Sequence, residues 1–121
     1  MSARYVKPLA TAALEPGVAS ATPQDILLSG DGLTTTWLSF KSANGNVISG
    51  IWASDAFSKK KSHPDEMEFC YLIEGRVKLT DAQGNSSVFN AGEAFIVEPG
   101  FDGLWESETP VRKYFVIAKC R

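Results

Sequence analysis

His63-Pro64-Asp65-Glu66-Met67-Glu68-Phe69-Cys70-Tyr71-Leu72-Ile73-Glu74-Gly75 contains the only histidine of the chain, four carboxylates, a cysteine and an apolar run closed by glycine. From Glu66 to Glu74 the residues alternate as a strand does. Glu66, Glu68, Cys70 and Leu72 fall on one face and Met67, Phe69, Tyr71 and Ile73 on the other. Apolar residues on both faces call for cover on both. For the second face the available covers are another sheet, the N-terminal segment or a second subunit, and a homodimer is the expected solution.

Outward from this strand the pattern stays β-type. Runs of β-branched and aromatic residues separated by Gly, Asn, Asp or Pro predict further strands at Thr36–Lys41, Val47–Ser54, Arg76–Asp81, Ser86–Phe89, Ala94–Glu98, Leu104–Ser107 and Val111–Lys119. Ala43-Asn44-Gly45-Asn46 and Ala82-Gln83-Gly84-Asn85 read as hairpin connections. Eight short strands at this spacing predict an all-β sandwich or jelly-roll barrel. Residues 1–24, rich in Ala, Thr and Pro without a clean period, read as an irregular N-terminal arm, and residues 25–121 as one domain. A chain of 121 residues suits one domain with a real core.

Twelve Lys and Arg against 14 Asp and Glu give a net charge of -2, and the only basic run is Lys59-Lys60-Lys61, read as a solvated loop. Nucleic-acid binding is not expected. No apolar run approaches the length of a membrane span. Cys70 and Cys120 form neither a disulfide framework nor a zinc-ribbon spacing, and the N-terminus does not read as a secretory signal, so a cytoplasmic setting is expected.

Glu68-Phe69-Cys70-Tyr71-Leu72-Ile73-Glu74-Gly75, Ala91-Gly92-Glu93-Ala94 and Gly100-Phe101-Asp102-Gly103-Leu104-Trp105 occur in that order. This series resembles the cupins, in particular the small single-domain group that includes the ethanolamine-utilisation cupin and ureidoglycine aminohydrolase-like proteins. The resemblance covers about residues 35 to 119 and implies a jelly-roll β-barrel of the RmlC-like type. It also implies a metal held by two histidines and a glutamate of one motif and a histidine of a second. Here Glu68 and His63 match the first motif, but Lys61 takes its first histidine position, and Gly103 stands where the second motif has its histidine. Glu98 replaces the usual proline, with Pro99 one place later.

A zinc, iron or manganese site needs three or four converging donors, and the pattern supplies His63 and Glu68, with Cys70 as a further candidate on the Glu68 face. No tightly bound metal is therefore expected; a divalent Mn, Fe or Zn held by His63 and Glu68 is the minority alternative. A carboxylate within an apolar strand must be solvated, paired or protonated. Glu68 is thus either a ligand anchor, suited to a cationic or hydroxyl-rich ligand, or half of an ion pair with Arg76, Lys78 or Arg112. His63 is a candidate acid or base beside it. Their spacing of five along the chain would place them on opposite faces of an unbroken strand, so their meeting requires a bend at Pro64. Trp52, Trp105, Tyr71 and Phe101 are candidate aromatic walls, and Cys70 a buried, inert thiol. The reading is a module that binds a small polar metabolite. The alternatives are an enzyme, either a metal-dependent hydrolase like the ureidoglycine relatives or a metal-free isomerase using Glu68 and His63, and a structural subunit with a vestigial pocket.

Overall fold

The computed structural model describes residues 5–14 and 16–120. Apart from a 3-10 turn at Thr11–Ala13, the described regular elements are strands: β1 (Val18–Ala21), β2 (Leu27–Ser29), β3 (Leu33–Lys41), β4 (Val47–Ser54), β5 (Phe57–His63), β6 (Glu66–Glu74), β7 (Arg76–Asp81), β8 (Ser86–Asn90), β9 (Ala94–Val97), β10 (Phe101–Ser107) and β11 (Val111–Lys119). They form a six-stranded sheet in the order β1-β3-β4-β11-β6-β9 and a five-stranded sheet in the order β2-β5-β10-β7-β8. Their ladders are antiparallel. The fold is all-β and jelly-roll-like. It corrects the expectation of a barrel in one respect: among the described residues the two sheets are not joined into a closed cylinder.

Both expected hairpins form, joining β3 to β4 and β7 to β8. Between β6 and β7 the chain leaves one sheet for the other at Gly75, whose φ of 95° lies in the left-handed region that glycine adopts without strain. A Cβ there would also strike the carbonyl oxygen of Pro110. Within the stretch read as an irregular arm, Val18–Ala21 is an ordered edge strand paired with β3.

The largest departure is β5. Phe57-Ser58-Lys59-Lys60-Lys61-Ser62-His63 is a strand between β2 and β10, not a solvated loop. Lysine and serine have low β propensity, which conceals the alternation from sequence reading. Phe57 and His63 are buried and Lys60 and Ser62 are exposed, so the odd positions, Lys59 and Lys61 included, face inward.

Phe57, Cys70, Leu72, Val77, Leu79, Phe95, Val97, Trp105 and Val111 form the core between the sheets. On the other side of β6, Phe69 and Tyr71 remain 36% and 37% exposed, and Tyr71 stacks on Tyr114 with ring centroids 5.9 Å apart. The second face is therefore only half covered within one chain.

Candidate functional site

Glu68 projects from β6 into the interior and is 2% exposed. Burying a lone carboxylate costs several kcal/mol, of order, so its partners decide whether it stays charged. Lys61 of β5 donates to Oε1 at 2.8 Å, and Lys113 of β11 donates to Oε2 at 2.7 Å. The sheets face one another, so each supplies one ammonium group to the same carboxylate. These are not the partners expected from sequence. Arg76 pairs with Glu108 at 2.7 Å, and Arg112 lies 3.5 Å from Glu74 and over the Trp37 ring.

Two indoles complete the enclosure. Lys113 Nζ lies 4.2 Å from the Trp105 ring centroid and 4.7 Å from that of Trp52, and Lys61 Nζ lies 5.1 Å from Trp105. The negative faces of the rings favour cations there. Trp105 is held by its Nε1–H donating to Ser107 Oγ at 3.0 Å and meets Trp52 edge-on at 5.6 Å. Gly103 pairs with Lys61 across the β5–β10 ladder, and a Cβ on it would strike the carbonyl oxygen of Thr80. The position where the resemblance implied a third histidine is thus a close approach of backbones.

His63 ends β5, and the chain crosses to the other sheet through Pro64 and Asp65 before β6 begins. This crossing makes residues five apart converge: His63 Nε2 lies 3.6 Å from Glu68 Oε1, and Nδ1 lies 3.7 Å from Glu66 Oε1. Both are beyond hydrogen-bond length, and Nδ1 is buried without a hydrogen-bond partner.

These groups line a cavity of about 310 Å3, with Lys59, Thr36, Phe115 and Ile117 in its wall. Of the residues singled out from sequence, Glu68, His63, Trp52 and Trp105 line it together. Cys70 is fully buried behind Glu68, accepting a hydrogen bond from Lys113 at 3.7 Å. Tyr71 points to the opposite face of β6, and Phe101 lines a separate hollow of about 530 Å3 beside the exposed Glu98 and Asp102. Sequence reading missed Lys59 and Lys113, and took Lys61 only for a lost metal ligand within a solvated loop. Two signals were available: Lys61 at the first histidine position of the cupin motif, and Lys113 at an inward position of an otherwise apolar strand.

The electrostatics follow from three amines around one interior carboxylate. Burial alone would raise the Glu68 pKa, but Lys113 and Lys61 outweigh it and hold the carboxyl far below its usual range. Burial lowers Lys61, and Lys113 adds to this against the pull of Glu68. Lys113, though fully buried, is held above the usual lysine value by Cys70 and Glu68. Burial, then Lys61 and Lys113, bring Lys59 down to about 8. Burial and the neighbouring lysines push His63 down to about 4, so its imidazole is neutral at pH 7. The Cys70 thiol is pushed up to about 12, chiefly by burial, which leaves it protonated and unreactive.

A transition metal of the kind the cupin resemblance implies does not fit this donor set. Both Glu68 oxygens are engaged by ammonium groups, and among the described residues no group of three or more His, Cys, Asp or Glu could hold a metal ion.

Two antiparallel sheets facing each other in jelly-roll fashion, with a polar site on their inward strands, define a cupin domain. The family model of the EutQ-like cupin domain matches residues 41–115, and the chain belongs to that family. A structure of a DUF861-family protein of unknown function from Pseudomonas syringae pv. tomato is 27% identical with a TM-score of 0.71, over 88% of this chain and 47% of that one. The chain thus spans about half the length of that relative. The EutQ protein of Clostridium difficile is 15% identical with a TM-score of 0.62, over 72% of this chain and 63% of that one. A predicted oxalate decarboxylase from Thermotoga maritima is 13% identical with a TM-score of 0.71, over 93% of this chain and 99% of that one. These last two show likeness of fold alone. No curated protein matches the chain significantly. Among the described residues no helix is long and apolar enough to cross a membrane.

Proposed function

We propose that the chain is a small-molecule binding module whose cavity takes a small organic anion, most directly a carboxylate, without a tightly bound metal. The observation that carries this reading is the imbalance of charge: Lys59, Lys61 and Lys113 share the cavity with two carboxylates, the buried Glu68 and the part-exposed Glu66, and His63 is neutral. The two carboxylates offset two of the three ammonium charges. The surplus cation, in a partly desolvated space walled by indoles, favours an incoming anion. This reverses the polarity expected from sequence, in which Glu68 itself would anchor a cationic or hydroxyl-rich ligand. At about 310 Å3 the space is at the lower end of the range for small-molecule sites.

The enzyme alternatives have less support. A metal-dependent hydrolase would need Glu68 oxygens that the lysines already hold. A Glu68–His63 isomerase would need an acid and a base near neutrality, whereas both groups are pushed well below it. As part of the same reading, two copies pair through the half-exposed Phe69, Tyr71 and Ile96 face, which is apolar and lies on the adjacent strands β6 and β9. The free thiols of Cys70 and Cys120 suit a reducing, cytoplasmic setting.

Thermal denaturation against panels of small carboxylates, amines and neutral sugars tests the ligand class. Carboxylates should raise the melting temperature, with a response that weakens as pH rises through about 8, where Lys59 loses its proton. Stabilisation by amines or sugars and not by acids would overturn the assignment.

A further inference from the structure

Two surfaces of the chain are left uncovered, and they are of opposite charge. In the N-terminal arm, Tyr5 and Val6 are 96% and 86% exposed, and residues 5–10 form neither helix nor strand. Residues 1–9 contain Arg4 and Lys7 and no Asp or Glu. At the far edge of the six-stranded sheet lies the hollow of about 530 Å3, lined by Asp81, Glu98 and Asp102 and by no lysine, arginine or histidine. We propose that this hollow is a docking groove for the N-terminal arm of a second copy of the chain, a contact that goes beyond the anion cavity and does not depend on it.

The hollow suits an extended segment with an aromatic side chain. It lies between β8 and β9, which end their respective sheets, so each has one side without a ladder partner. Its floor is apolar: Phe89 and Phe95 stack with ring centroids 4.2 Å apart, beside the buried Leu79 and Val97 and the half-buried Phe101. A tyrosine inserted there buries its ring against other rings and keeps its hydroxyl at the polar mouth. Asp81 is engaged by its own turn, accepting from the backbone of Gln83 and Asn85. Glu98 and Asp102 are exposed, and among the described residues no cation pairs with either.

The arm supplies what the hollow lacks. Pro8 disfavours helix at Lys7 and keeps the arm extended. An extended chain adds main-chain hydrogen bonds to an unpaired strand edge while alternate side chains enter the groove. The arm does not fill the hollow of its own chain. Lys7 Nζ donates to the Ser39 carbonyl oxygen on β3 at 2.6 Å, and β3 lies four strand spacings from β9, about 19 Å. A second copy brings the two surfaces together in a heterologous contact, in which arm and hollow are different patches. Ile96, which lines the hollow, also belongs to the apolar face proposed above for pairing, so the two contacts are adjacent.

A synthetic peptide of residues 1–10 titrated into the full-length protein, followed by amide chemical shifts, tests the proposal. The expected result is saturable binding with shifts centred on β8 and on Ile96 to Asp102. Binding should weaken about tenfold in Asp102→Lys and, independently, in Glu98→Lys, and when salt is raised from about 50 to about 500 mM. In the full chain, Tyr5→Ser and Lys7→Glu, both at exposed positions outside the core, should weaken self-association in sedimentation without lowering the melting temperature. Tyr71→Glu, outside the hollow, should leave peptide binding unchanged. Shifts confined to β3 or to the Phe69 and Tyr71 face, loss of peptide binding in Tyr71→Glu, or no binding at millimolar peptide overturns the proposal. Each of these outcomes leaves the anion cavity standing, since carboxylate binding is read separately.

Discussion

The space between the sheets has two halves of opposite character. In one, Leu72, Val77, Leu79, Val97 and Val111 close an apolar core with Trp105 at its boundary. In the other, Glu68, Lys61 and Lys113 are almost as well buried but are held by pairing. The apolar half is stabilised by area removed from water, which any well-fitting hydrophobic side chain supplies. The charged half has no such tolerance, since an ion pair out of water roughly breaks even only while each partner is present. A fold that needed only stability would not require it, and this contrast is the ground for proposing the charged half as the site.

The sharpest way to break the comparison is Glu68→Gln. Removing the carboxylate leaves two ammonium groups facing an amide and should cost about 4 kcal/mol at pH 7, read by urea denaturation. Because neutral amines need no counter-charge, the loss should shrink as the pH is raised far enough for the lysines to lose their protons. A variant as stable as wild type would mean that the pair is dispensable. Leu72→Ala, on the same strand and face, should cost about 3 kcal/mol for a fully buried leucine, with no such pH dependence.

Acidification gives a smaller effect with a defined sign. His63 has a folded-state pKa of about 4 against 6.5 when unfolded, so between these values the unfolded chain binds more protons. Stability is therefore full above pH 6.5 and falls as the pH drops toward 4. Further loss follows as Glu68, held low in the fold, is protonated in the unfolded chain below the usual carboxyl value of 4.5. His63→Asn should remove the first part of that fall and leave the second, as measured by melting temperature against pH. Unchanged curves would show that the imidazole does not enter the linkage.

The smallest effect on stability is expected on the outer face. Tyr71→Glu should change monomer stability by only about 0.5 kcal/mol, as a part-exposed site does, while weakening self-association in sedimentation at micromolar concentration. A wild-type chain that sediments as a monomer would confine the function to the single-chain cavity.

Much of the fold was legible because it is written in local alternation. Glu66–Glu74 shows which face of β6 turns inward, and the short β-branched runs with their Asn-Gly and Gln-Gly connections mark most of the other strands. Phe57–His63 was not legible, because Lys and Ser carry no β signal and their inward partner lies elsewhere in the chain.

By itself the sequence determined that this chain builds antiparallel sheets around a strand with one out-of-place carboxylate, and that the histidines of the cupin pattern are largely replaced. Only the tertiary structure decided what that carboxylate does. Lys61 and Lys113 are seven and 45 residues from Glu68, on strands of different sheets. Register and the crossing at Pro64 bring them to the same two oxygen atoms, and local patterns do not encode such a meeting. The sign of the pocket, and with it the class of ligand proposed above, is a property of that convergence.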